Sequence, residues 1–350
     1  MIIIMKKGYE EQELDRVIRR VEEVGLRTHL SIGDNTAIVG VVGVPIPPEL
    51  QSDLEVVGGV EEVLRVTKRY KLPSREFHPD DTRFTVRGVE IGGDEIVVIA
   101  GPCSIETEEQ TLTTARAIKA AGAKILRGGA FKPRTSPYEF RGLGEEGLKI
   151  MAEARDETGM PIITEVLAPG DVDLVAQYTD IFQIGARNCQ NYLLLEEVGK
   201  TGIPVMLKRG MSVSVEEWLM AAEYIMAQGN PNVILCERGI RTFETITRNT
   251  FDLNAVPAVK RLSHLPVFAD PSHATGKWYL VPAMTLASIA AGADGLMIEV
   301  HPNPDHARSD GAQSLTFENF AKLMPQADAV ARAVGRHVAT TADEPLTVAG

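Results

Sequence analysis

The chain has 350 residues, of which 44% are hydrophobic and 24% charged, and a formal net charge of −12. That length suits one large domain plus a small one, and the acidic balance disfavours general binding to nucleic acid, which needs a basic face. Cys103, Cys189 and Cys236 are scattered and form no CxxC pair. They make no disulfide framework and point to a reducing, cytoplasmic setting. No stretch approaches the roughly 20 apolar residues of a membrane span, and the start MIIIMKKGYEEQ lacks the apolar core of a signal peptide.

Residues 1–67 read as a small α+β domain. The run IIIM (2–5) is a strand. EEQELDRVIRRVEEVG (10–25) places Leu14, Val17, Ile18, Val21 and Val24 at helical spacing and stops at Gly25. THLSIG (28–33) and AIVGVVG (37–43) flank Asp34, Asn35 and Thr36, a hairpin signal. A second helix and the strand VEEVLRVT (60–67) complete the order βαββαβ, that of ferredoxin-like domains. Residues 68–95 read as a linker, KRYKLPSREFHPDDT, followed by a small hairpin, RFTVRGVEIGGDE.

From residue 96 short apolar runs alternate with amphipathic segments. The strands expected are 96–101, 124–129, 161–166, 181–186, 204–209, 233–238, 266–270 and 295–300, with a last helix at 317–335. Eight βα units over 96–338 predict an α/β fold, a (β/α)₈ TIM barrel, rather than an open doubly wound sheet, because the first strand runs into GPCSIE and not a GxGxxG turn. The tail 339–350 is expected to be disordered.

In such a barrel function gathers at the C-terminal strand ends. Those ends supply Cys103; Arg127, Lys132 and Arg134; Glu165; Arg187; Lys208 and Arg209; Glu237 and Arg238; Asp270 and His273; and Glu299, with Asp310 beyond. Any one of them can be a rim salt bridge or a solvated loop residue; the whole set points to a site. Cys103, His273, Glu299 and Asp310 form a mixed soft and hard donor set, suited to an open catalytic ion such as Mn²⁺, Fe²⁺, Co²⁺ or Zn²⁺. His301 and His306 are rival ligands. Arg127, Lys132, Arg134, Arg187, Lys208 and Arg238 gather cations in an acidic protein, which predicts anionic substrates.

The motifs GPCSIE (101–106), LRGGAFKPRTSPYEFRGLG (126–144), QIGARNCQN (183–191), MLKRG (206–210), ILCERGIRTFE (234–244), DPSHATG (270–276) and IEVHPNPDHARSDGAQSL (298–315) resemble those of the 3-deoxy-D-arabino-heptulosonate 7-phosphate synthase family, in the type with an N-terminal ferredoxin-like regulatory domain. The resemblance implies condensation of phosphoenolpyruvate with erythrose 4-phosphate. It implies one divalent metal on Cys103, His273, Glu299 and Asp310, and phosphoenolpyruvate on Arg127, Lys132, Arg187, Lys208 and Arg238. The sugar phosphate falls on Arg134, Thr135 and Ser136. Lys132 is the expected proton donor, with Lys208 among the catalytic cations; Glu165 either handles water or a proton, or pairs with an arginine. PYEFRG, with Glu139 and Arg141, departs from the family's frequent PYSFQG, and Cys189 and Arg308 replace smaller or apolar residues.

The KPRTS segment favours the four-carbon sugar over the arabinose 5-phosphate of the related 3-deoxy-D-manno-octulosonate 8-phosphate synthases. A non-catalytic metabolite sensor is a further alternative, disfavoured by the intact ligand set. The resemblance also implies a homotetramer and feedback inhibition by tyrosine or phenylalanine, with His29 and Ser31 as regulatory contacts.

Overall fold

The computed structural model describes residues 1–33, 36–43, 46–64, 69–132, 138 and 140–339. Asp34 and Asn35 of the expected hairpin turn, and the tail from 340, lie outside them. The first compact unit comprises Met1–Asp80 with Leu262–His264. Its strands are β1 (Ile2–Met5), β2 (Arg27–Ile32), β3 (Ala37–Val42) and β4 (Val60–Leu64), in the order β2-β3-β1-β4, and its helices are Glu11–Glu23 and Pro48–Glu55. All three strand pairings are antiparallel. The first helix begins with a reciprocal capping box between Glu10 and Glu13. It buries Leu14, Val17 and Val21 against Ile3, Met5, Val39, Val41, Leu50 and Leu54. Tyr70, Leu72 and Phe77, in the stretch read as a polar linker, are buried.

The second unit begins at Asp81. A hairpin, β5 (Phe84–Val86) and β6 (Val89–Ile91), precedes the barrel strands. These are β7 (Val97–Gly101), β8 (Ile125–Arg127), β9 (Ile162–Glu165), β10 (Ile181–Ile184), β11 (Val205–Lys208), β12 (Val233–Glu237), β13 (Val267–Ala269) and β14 (Gly295–Glu299). They close in sequence order, all parallel, and β14 pairs with β7. The expected (β/α)₈ barrel with a small α+β domain is therefore the fold observed. Most strands are a residue or two shorter than the apolar runs, and the last helix, Phe317–Ala333, ends two residues before its expected stop.

Alternation along each strand organises the barrel interior. Ile125, Ile163, Ile181, Met206, Cys236, Phe268 and Met297 share one buried apolar cluster with Val86 and Ile91 of the hairpin, which seals that layer. Two residues further along each strand the same inward direction carries Arg127, Glu165, Gln183, Lys208, Arg238, Asp270 and Glu299. The floor of the site is thus the polar layer directly above the apolar core. On β7 the equivalent position is Gly101, with φ +145°, where a Cβ would lie 2.1 Å from the Arg127 carbonyl oxygen. Among the described residues no helix is long and apolar enough to cross a membrane.

Candidate active site

A cavity of about 340 Å³ opens above this polar layer. Seven lining residues are Arg or Lys (Arg127, Lys132, Arg187, Lys208, Arg238, Arg241 and Arg248), against two carboxylates, Glu165 and Asp310. The local charge is therefore opposite in sign to that of the whole chain, which is the condition for concentrating an anion there.

At one side of the cavity three of the four expected metal donors converge, and the fourth, His273, stands beside one of them. Cys103 Sγ, a Glu299 oxygen and an Asp310 oxygen lie within 4.8 Å of one another. The Cys103 thiol donates to Asp310 Oδ2 at 3.1 Å and lies 3.0 Å from Ser309 Oγ. His273 Nε2 is 3.3 Å from Glu299 Oε1, and its Nδ1 is 2.7 Å from Asp270 Oδ2. Asp270 also caps the short helix Pro271–Thr275 by accepting from the His273 backbone N–H, which fixes where His273 stands. Asp310 adopts a left-handed backbone, φ 52°, a conformation that Asp tolerates better than most side chains.

The donor set suits a divalent cation. Burial, reinforced by Glu299, pushes the Cys103 thiol up to about 12. Burial works against ionisation of Glu299, yet His273 and Arg127 hold its pKa below the usual carboxylate value. Asp310 is likewise held low by His273 and Arg248 against the opposing effect of burial. A buried proton on sulfur between two ionised carboxylates marks a place where a dication can replace that proton. One soft and several hard donors, with Asp310 and His273 reaching the cavity, describe an open site.

The cations divide by their partners. Arg127 Nη1 bonds Glu299 Oε1 at 2.6 Å and the Pro102 carbonyl at 2.9 Å, while its buried Nε has no partner among the described residues. Lys208 pairs with Asp270 at 2.5 Å. Lys132 Nζ donates to the carbonyl of Cys103 at 3.0 Å and to its Sγ at 3.1 Å. Burial opposes the charge on Lys132, but Cys103 and Glu165 raise its pKa above the usual value. Arg238 is only 6% exposed, its Nη1 has no partner among the described residues, and burial lowers its pKa. Arg187 is exposed on the turn Ala186–Asn188 at the cavity wall. Glu165 accepts from Gln183 Nε2 at 3.4 Å and covers Gly185, where a Cβ would stand 1.9 Å from Oε1. Within the first unit, His29 and Ser31 share one face of edge strand β2. The His29 ring meets Phe77 edge-on at 5.1 Å, and its buried Nδ1 has no partner among the described residues.

Some strand-end residues serve the scaffold. Arg209 pairs with Glu237 at 2.9 Å and with Asp252 at 2.8 Å, away from the cavity lining. Of the rival ligands, His301 is buried 3.6 Å from Glu106 and His306 is exposed on the turn Pro304–His306; neither lines the cavity. Arg134, Thr135, Ser136 and Glu139 lie outside the described residues. Arg141 is exposed, Cys189 is buried, and the Arg308 guanidinium lies 5.0 Å over the Phe140 ring.

Sequence reasoning missed Gln183, Arg241, Arg248 and Asn249 in the wall, and Ser309 and Gln313 beside the cation cluster. Gln183 was detectable, two residues beyond Ile181 on an alternating strand. The others stand on long loops without periodicity.

The closed parallel barrel, its cation-lined mouth and its thiol–carboxylate cluster define a (β/α)₈ enzyme acting on anionic substrates. Residues 69–333 match the DAHP synthetase I family, and residues 1–68 match the DAHP synthase ferredoxin-like domain. The chain belongs to the DAHP synthetase I family. It is 48% identical over 335 residues to the phospho-2-dehydro-3-deoxyheptonate aldolase of Thermotoga maritima, covering 96% of this chain and 99% of that protein. The crystal structure of a Thermotoga maritima phospho-2-dehydro-3-deoxyheptonate aldolase (DAHP synthase) superposes with a TM-score of 0.77 at 47% identity, over 96% of this chain and 98% of the other. The 2-dehydro-3-deoxyphosphooctonate aldolase of Koribacter versatilis is more distant, at 34% identity over 256 residues, covering 67% of this chain and 91% of that protein.

Proposed function

We propose that this chain condenses phosphoenolpyruvate with erythrose 4-phosphate to give 3-deoxy-D-arabino-heptulosonate 7-phosphate and phosphate, the first step of the shikimate pathway to the aromatic amino acids. Within this family, the observation that carries the reading is the cavity in which seven cations face two carboxylates beside the Cys103–Glu299–Asp310 cluster.

C3 of phosphoenolpyruvate attacks the aldehyde carbon, the aldehyde oxygen takes a proton, and water adds at C2. The phosphohemiketal so formed then loses phosphate. Arg238 and Arg127, each with a buried N–H lacking a partner among the described residues, donate to the carboxylate and phosphate of phosphoenolpyruvate together with Lys208 and Arg187. Lys132, its pKa raised by Cys103 and Glu165 against the effect of burial, is placed to give its proton to the aldehyde oxygen. Glu165, facing the same cavity, accepts a proton from the incoming water. Cys103, His273, Glu299 and Asp310 would hold a divalent ion, which when bound supplies Lewis acidity toward a carbonyl oxygen. Mn²⁺, Fe²⁺, Co²⁺ and Zn²⁺ all suit these donors.

Arg134, Thr135 and Ser136 are assigned to the sugar phosphate by motif. Tyrosine or phenylalanine is assigned to the small domain at His29 and Ser31, in a cytoplasmic homotetramer. The test of the reaction is phosphate release from phosphoenolpyruvate by the metal-loaded protein, with erythrose 4-phosphate present and absent. Release that does not depend on the sugar phosphate overturns the assignment.

A further inference from the structure

Gln313 closes the short turn Gly311–Gln313 and is 2% exposed. Its Nε2 donates to Glu299 Oε2 at 2.6 Å, and its Oε1 accepts from Arg248 Nη1 at 2.9 Å. The same Arg248 nitrogen reaches Asp310 Oδ1 at 3.2 Å. The backbone N–H of Gln313 also bonds the Asp310 carbonyl at 3.2 Å. One buried amide therefore ties together two carboxylates that stand 11 positions apart in the sequence and converge in the cation cluster.

The orientation of that amide is dictated by its neighbours. Arg248 only donates, so the amide oxygen faces it. Ionised Glu299 only accepts, so the NH₂ group faces Glu299. A glutamate here would offer an acceptor at both ends, a lysine only donors, and a methionine neither. Arg127 holds the other oxygen of Glu299 at 2.6 Å, with His273 Nε2 3.3 Å from that same oxygen, so both oxygens of this carboxylate are engaged and its plane is fixed.

We infer that Gln313, with Arg248, is a positioning residue that orients Glu299 and Asp310 toward the bound cation. The inference rests on the cation reading of the previous subsection. Groups that orient metal ligands in this way set metal affinity, and their loss typically costs about 10–100-fold.

The test is Co²⁺ titration of the full chain by chelator competition, recorded with the visible ligand-field and thiolate charge-transfer bands, for wild type, Gln313→Met and Arg248→Met. Thermal unfolding of the cation-free proteins is measured in parallel. Gln313→Met should bind Co²⁺ about 10–100-fold more weakly, with displaced bands, and its cation-free unfolding should shift modestly downward because Glu299 Oε2 loses its donor. Arg248→Met, which removes a half-exposed side chain, should show a smaller loss and its own band shift. Affinity within twofold of wild type and unchanged bands in Gln313→Met overturn the inference. If that variant does not fold, the same result in Arg248→Met overturns it. Failure of the wild type to bind Co²⁺ is a different outcome, and removes the cation reading itself.

Discussion

Lys132 Nζ lies 3.1 Å from Cys103 Sγ, so the group assigned to deliver a proton touches a group assigned to hold the cation. The thiol, pushed up to about 12, is protonated at neutral pH without a cation, and cation binding must expel that proton. Burial lowers the pKa of His273, so its proton leaves at lower pH than that of the thiol. Raising the pH therefore favours binding. Affinity for Zn²⁺ or Co²⁺ should climb about tenfold per pH unit from pH 6.5 to 8.5, as linkage to one proton requires. In Cys103→Ala that slope should vanish along with turnover. A pH-independent affinity in the wild type, measured by chelator competition, would remove Cys103 from the ligand set.

Arg209 and Arg238 follow the paired strands β11 and β12 and should respond oppositely to truncation. Arg209 compensates Glu237, which is fully buried and whose pKa burial raises. Arg209→Ala should lower stability by about 3–5 kcal/mol, because it leaves a buried carboxylate without its partner. Denaturant unfolding checks this.

Arg238 carries a buried N–H, at Nη1, that nothing among the described residues satisfies. Arg238→Met should leave the cation-free melting temperature equal or higher, since an uncompensated buried polar group is removed. The same change should raise the Michaelis constant for phosphoenolpyruvate by roughly 10- to 100-fold, the equivalent of a lost charged hydrogen bond of about 1.5–3 kcal/mol. An unchanged Michaelis constant would take Arg238 out of the substrate site.

Substrate choice can be measured directly. Erythrose 4-phosphate should exceed arabinose 5-phosphate in kcat/KM by at least about 100-fold, a difference of roughly 2.7 kcal/mol in transition-state binding. A preference for the five-carbon sugar would place the chain functionally with the octulosonate enzymes despite its higher identity to the heptonate aldolase.

Regulation is tested by truncation. Tyrosine, or failing that phenylalanine, should inhibit the full chain, and a chain beginning at Asp81, where the second compact unit starts, should remain active and escape inhibition. His29→Ala should weaken inhibition without changing uninhibited turnover, since His29 lies in the small unit. Effector affinity must differ between two domain arrangements for this to work. Equal inhibition of the full and shortened chains would move the effector site into the barrel.

Much of the barrel and its floor is a local property of the chain. Strand alternation is set by backbone geometry, so an inward Ile125, Ile163 or Met206 makes Arg127, Glu165 or Lys208 inward as well. Eight such runs in order, with helical spacing between them, leave few architectures open. The division of labour among the polar residues is not local. Arg209 and Arg238 are both basic residues at strand ends, and only the fold shows that Glu237 and Asp252 claim the first while Nη1 of the second has no partner among the described residues. The wall contributed by Arg248 and the brace formed by Gln313 depend on loops folding back onto β14, and contacts between residues far apart in sequence leave no periodic trace. Side-chain direction follows from the backbone, but partnership and desolvation follow from what the distant chain brings alongside.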